Sequence, residues 1–132
     1  MKMYVATKAL IVKGKKILII KRSSKEDVYA DEWDLPGGKM KLGEHPIDSI
    51  KREVFKETKL KIEIIRPLDV WTFFKDGKTQ VIGITFLAKP ITSKISLGKE
   101  HTNYKWILPK DIDKYKIHEG IKETVKKYFE NG

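Results

Sequence analysis

Between Trp33 and Leu60 the chain gathers the residue types that phosphate chemistry uses: a Trp33-Asp34-Leu35-Pro36-Gly37-Gly38 turn, then Glu44, the pair Arg52-Glu53, and Glu57. Paired glycines let backbone approach a ligand closely. Two carboxylates four residues apart fall within ~40° of each other on a helix of 3.6 residues per turn. Such a like-charge pair costs an isolated helix about 0.2–0.5 kcal/mol, a cost that a divalent cation or neighbouring lysines would offset. A hard ion such as Mg²⁺ takes carboxylate oxygens and completes its shell with water and phosphate. On its own, Glu-x-x-x-Glu in a charged helix is more often a solvated face, so the pair needs its surroundings to mean anything.

Those surroundings predict the element that positions the acids. Pro46 suits the first turn of a helix, where its missing N–H costs nothing, and Ile47, Ile50 and Val54 recur at spacings of three and four. The expected helix runs from Pro46 to Thr58, with His45 as a candidate cap. Glu53 and Glu57 lie on the shoulder of its apolar stripe.

The full spacing, Gly38, Glu44, Arg52-Glu53-Val54, Glu57 and Leu60, resembles the signature of the Nudix hydrolases, MutT-like members included. The resemblance implies a loop-helix-loop that binds divalent metal and cleaves a phosphoanhydride in a nucleoside diphosphate derivative. It implies metal ligation by Glu53, Glu57 and a carbonyl of the glycine pair, Gly37. Gly38 and Glu44 would be structural, Glu44 bracing the loop with Arg52. Two departures stand out: Lys56 replaces a glutamate of the pattern and Lys59 a glycine. The first removes a potential ligand, adds a positive charge that could pair with Glu53, and predicts weaker metal affinity. The second places lysine where left-handed backbone is expected, at roughly 1 kcal/mol relative to glycine.

At 132 residues the chain is expected to form a single domain, 1–132, with one core. It lacks cysteine, which removes disulfides, zinc-thiolate sites and thiol catalysis. No apolar run is long enough to span a bilayer and no signal pattern opens the chain, so a cytoplasmic location is the expectation. The net charge of +10 would attract polyanions, yet Lys- and Glu-rich usage also marks heat-adapted proteins. Because the lysines are dispersed, a small nucleotide is favoured over nucleic acid as partner. Monomer and homodimer stay open.

Met3–Val12 and Lys16–Arg22 read as strands of a hairpin around Gly14, with Arg22 a candidate phosphate contact. Ser23–Asp31 reads as a mobile polar loop. Lys39, after the glycines, is a second phosphate candidate. Beyond the helix, Ile62–Ile65 begins a strand that Pro67 ends or places at an edge. Leu68–Phe74 and Thr79–Ala88 flank Asp76-Gly77, a hairpin signal, and Gly83 suggests a bulge. Alternation puts Trp71 and Phe73 on one face, where a nucleobase could stack, although core packing is the expected job for at least two of Trp71, Phe73 and Phe74. Glu100 precedes a short strand bearing Trp106 and is a candidate for acting on the attacking water or adding a ligand, with His101 a lesser one. Ile121, Val125 and Phe129 mark a C-terminal helix with a core stripe.

The resemblance implies an α/β/α sandwich with a mixed sheet, the two helices covering opposite sides. The expected activity is a Mg²⁺-dependent pyrophosphohydrolase, Mn²⁺ being the other metal considered. Its candidate catalytic set is Glu53, Glu100 and Arg52, and its substrate contacts are Arg22, Lys39, Trp71 and Phe73. The rival from another class is a nucleotide-binding sensor with the fold but little turnover, favoured by Lys56. An RNA 5′-end activity rests on charge alone.

Overall fold

A computed structural model of the chain describes residues 1–25 and 30–130. The expected Ser23–Asp31 loop lies partly outside them. In order, the elements are β1 (Lys2–Lys13), β2 (Lys16–Arg22), β3 (Trp33–Asp34), β4 (Gly37–Lys39), α1 (Pro46–Thr58), β5 (Ile62–Phe74), β6 (Thr79–Pro90), β7 (His101–Ile107), a 3₁₀ turn (Pro109–Lys114) and α2 (Glu119–Glu130). The strands form a mixed sheet in the order β3-β2-β1-β6-β5, with β4 added to β1 and β7 to β2. β1 and β6 are parallel, from Lys2 opposite Thr79 to Ile11 opposite Ala88; the other pairings are antiparallel.

Apolar runs in β1 and β2 become the core because both faces of these strands are covered. Ala9, Ile11, Leu18 and Ile20 pack with Ile50 and Val54 of α1 on one face. Leu10, Ile17 and Ile19 pack with Val125 of α2 and Ile112 of the 3₁₀ turn on the other, where Ile121 and Phe129 also settle. Ile50 and Val54 are fully buried, each contributing roughly 1.5–3 kcal/mol to docking α1 on the sheet. This is the expected α/β/α sandwich.

The hairpin around Gly14 forms, Val12 pairing with Ile17. Beyond it, β1 leaves β2 and runs beside β6. Pro67 sits within β5, the edge strand, which bulges between Ile64 and Arg66 and between Pro67 and Asp69. An edge spares proline the missing donor. Asp76-Gly77 makes the β5–β6 turn, with Asp76 accepting from the amides of Lys78 and Thr79. Gly83 does not mark a bulge: β6 passes through it in register with Trp71. A Cβ there would overlap the indole ring of Trp71, so glycine makes room for a cross-strand aromatic.

Helix α1 has the expected bounds. His45 Nδ1 accepts from the Ile47 amide at 3.0 Å, and Pro46 opens the helix. Lys59 ends it at φ 64°, its N–H donating to the Phe55 carbonyl, so the lysine does adopt the left-handed geometry.

Candidate active site

The loop between β4 and α1 returns under the helix, and a four-residue network holds it there. Arg52 donates to Glu44 twice, Nε to Oε2 at 2.7 Å and Nη2 to Oε1 at 3.0 Å. Nη2 also reaches the Lys39 carbonyl at 3.2 Å, while the Lys41 amide donates to Glu44 at 2.9 Å. Arg52 first, and then the Lys41 amide, hold the Glu44 carboxyl down at about 2. Its contribution to stability is therefore present above the unfolded carboxylate range near 4.5 and is lost as pH falls toward 2. The same network pushes the already high Arg52 pKa further up.

The remaining arm of Arg52 reaches the chemistry: Nη1 donates to Glu53 Oε1 at 2.6 Å. Lys56 therefore does not pair with Glu53, contrary to the expectation from spacing, because a planar guanidinium one residue away already occupies that oxygen. Gly38 lies against the other face of Glu53. A Cβ on Gly38 would stand 2.5 Å from Glu53 Oε2, so this position has no space for a side chain.

Glu57 is buried, and Gly37 N–H donates to its Oε1 at 2.8 Å. A Cβ on Gly37 would collide with the Thr7 carbonyl. Burial dominates the electrostatics of Glu57 and raises its pKa to about 8, against the attraction of Lys8 and the Gly37 hydrogen bond; Asp34 and Glu53 add repulsion. Oε2 faces His101 Nε2 at 3.8 Å. Burial, and then Arg22, lower His101 to about 4, so the imidazole is neutral and this contact is not an ion pair at neutral pH. The His101 Nδ1 is buried with no hydrogen-bond partner among the described residues.

Glu53 and Glu57 border one cleft of about 510 Å³ that also takes in Gly37, Gly38, Arg22, Lys39 and Glu100, whereas Arg52, Glu44 and His101 stand behind its lining. Its far wall is aromatic. Trp71 and Phe73 stack at 5.9 Å between centroids, and Trp71 Nε1 donates to Thr85 Oγ1 at 3.0 Å. Neither ring is in the buried core, and Phe74 is 56% exposed, which corrects the expectation that two of the three would be core. Their strand lies at the sheet edge, and both rings line the cleft, with Gly120 and Ile121 of α2 also on its wall.

Sequence reasoning missed several lining residues. Lys8 pairs with Asp34 at 2.7 Å, joining β1 to β3 beside Glu57. Tyr4 lies beneath the Lys39 ammonium, 4.9 Å from its ring centre. His118 stands 6.2 Å from Phe73, and its Nδ1 accepts from the Gly120 amide at 3.0 Å. The one signal for His118 was its place just before a helix, where histidine can cap.

Glu53 and Glu57 bring carboxylate oxygens to one cleft beside the Gly37 backbone, and hard donors of this kind suit a divalent ion of the Mg²⁺ type. Among the described residues, no three acid or histidine side chains gather as a ready-made cage. Two carboxylates and a peptide oxygen would leave the rest of the shell to water and substrate phosphate.

The fold and this loop-helix geometry define a family, and the chain belongs to it: the NUDIX domain pattern matches residues 3–128. The chain is thereby a Nudix hydrolase with MutT-like character, a family that generally uses divalent metal ions. Among its relatives is the nucleoside triphosphatase NudI of Escherichia fergusonii, 25% identical over 119 residues that span 82% of this chain and 84% of that one. The fold matches the MutT protein of Methanosarcina mazei Go1 with a TM-score of 0.88, at 24% identity, over 98% of this chain and 95% of that one. It also matches the MutT NUDIX hydrolase of Burkholderia pseudomallei with a TM-score of 0.84, at 22% identity, over 96% and 98%. Among the described residues no helix is long and apolar enough to cross a membrane.

Proposed function

We propose that the chain is a Mg²⁺-dependent pyrophosphohydrolase, with Mn²⁺ as an alternative ion, that cleaves a phosphoanhydride in a nucleoside triphosphate or another nucleoside diphosphate derivative. The observation that carries this reading is the meeting of Glu53, Glu57 and the glycine pair with Arg22, Lys39 and an aromatic wall in a single cleft. The resemblance to a nucleoside triphosphatase supports it. We place the activity in a single cytoplasmic domain over residues 1–132.

Glu53, Glu57 and the Gly37 carbonyl would hold the metal, which supplies positive charge to the polyphosphate and polarises the bond to be broken. Phosphoanhydride cleavage is mostly positioning and charge neutralisation. Arg52 holds Glu53 in place and leaves its Oε2 toward Gly38. Glu53 or Glu100 orients the attacking water and takes its proton. Arg22 and Lys39 offset phosphate charge, and the Trp71–Phe73 wall receives the base. Lys56 favours a second reading, a nucleotide-binding sensor with little turnover.

A screen of nucleoside triphosphates, ADP-ribose and dinucleoside polyphosphates with Mg²⁺ and Mn²⁺, resolving the products, decides between them. Release of a nucleoside monophosphate product supports the hydrolase; binding without turnover across the panel supports the sensor. For whichever substrate is turned over, Gly83→Ala is expected to raise KM about 3–10-fold with little change in kcat. The new methyl displaces the Trp71 ring without touching the carboxylates. An unchanged KM would remove Trp71 from the base-binding wall.

A further inference from the structure

Lys56 borders the same cleft as Glu53 and Glu57, three residues after one and immediately before the other. Its side chain is exposed. The other lysines around the cleft are engaged: Lys8 with Asp34 at 2.7 Å, Lys39 over Tyr4 at 4.9 Å and Lys75 over Tyr4 at 6.0 Å. The Lys56 side chain has no ion pair, hydrogen bond or ring contact among the described residues. Glu53, the acid one helical turn away, is already bound by Arg52 at 2.6 Å. An uncommitted ammonium therefore projects from the metal-bearing helix where the family pattern has a carboxylate.

We propose that Lys56 binds a phosphate oxygen of the substrate directly and stands in for the charge that a second cation would bring, so that the cleft operates with a single divalent ion. This rests on the polyphosphate-cleaving reading of the cleft. A fixed positive charge beside Glu57 repels a further divalent ion, and a glutamate there would attract one. The same charge is suited to a phosphate oxygen, for which an ammonium acts as a flexible point charge with three donors.

The test is to titrate Mn²⁺, followed by electron paramagnetic resonance, together with calorimetric binding of imidodiphosphate, a pyrophosphate mimic that resists hydrolysis. The native chain is expected to take up a single Mn²⁺, and Lys56→Glu a second. Lys56→Gln keeps the single ion and binds imidodiphosphate about 10–100-fold more weakly, while Lys56→Arg restores most of the affinity. Because Lys56 is exposed and unpartnered, melting temperatures should be close to native and serve as the folding control. A second Mn²⁺ on the native chain, or imidodiphosphate affinity within about twofold of native in Lys56→Gln, overturns the proposal while leaving the hydrolase reading intact. Failure of the native chain to bind either Mn²⁺ or imidodiphosphate overturns both.

Discussion

Glu53→Gln is expected to lower kcat by about 10³-fold on any substrate the native chain turns over, at saturating Mg²⁺ and with little change in melting temperature. The structural interactions of Glu53 survive the change: the amide oxygen still accepts from Arg52 Nη1, and the side chain still fills the space left by the missing Cβ of Gly38. What is lost is a negative charge on a hard oxygen facing the cleft and a site able to take a proton from water. Retention of more than about a tenth of the native rate would show that Glu53 neither holds the ion nor acts on water. Glu100→Gln provides the internal comparison. Glu100 is exposed in the turn just before β7, so its substitution tests proton transfer with less effect on the loop. If it causes the larger loss, the base is Glu100 and Glu53 is a ligand alone.

The parts of this site that were readable beforehand are those whose partners are close in sequence. His45, Pro46 and the apolar spacing of α1 encode a helix with its own cap, and the Gly38-to-Leu60 spacing encodes how the loop returns to it. The Glu44–Arg52 brace spans eight residues and closes within one loop-helix unit. Gly83 is the opposite case. A glycine in a strand suggests a bulge when only its neighbours are considered; its purpose appears only once β5 and β6 are in register and Trp71 lies across it. Lys8 and Asp34 meet through strand pairing, and His118 reaches Phe73 only because α2 begins beside the edge strand. The failed Lys56–Glu53 pair is a third kind of miss. Helical spacing allowed it, but Arg52 offers a charged donor from the neighbouring residue and wins the oxygen.

The same local crowding makes Glu57 the point where stability and metal binding are expected to oppose each other. Burial raises its pKa to about 8 from 4.5, so the metal-free folded state keeps a proton that the unfolded state has already released. Stability attributable to this group is therefore full below about 4.5, falls as pH rises toward 8, and stays low above it, because the unfolded chain binds fewer protons than the native one throughout that window. The total is roughly 3–5 kcal/mol. Glu57→Gln removes the titration. In the presence of chelator the variant should melt several degrees higher than the native chain at pH 9 and nearly with it at pH 4.5. It should also lose a ligand, lowering Mn²⁺ affinity by at least about tenfold. For the native chain near pH 7, calorimetry in buffers of different ionisation enthalpy should report release of close to one proton per ion bound, since a carboxylate must shed its proton to coordinate. Proton release that persists unchanged in Glu57→Gln would place the titrating group elsewhere. A metal-free melting curve that rises between pH 5 and 8 in the native chain would mean that Glu57 is already ionised in the fold and that its burial is compensated by Lys8 and the Gly37 amide.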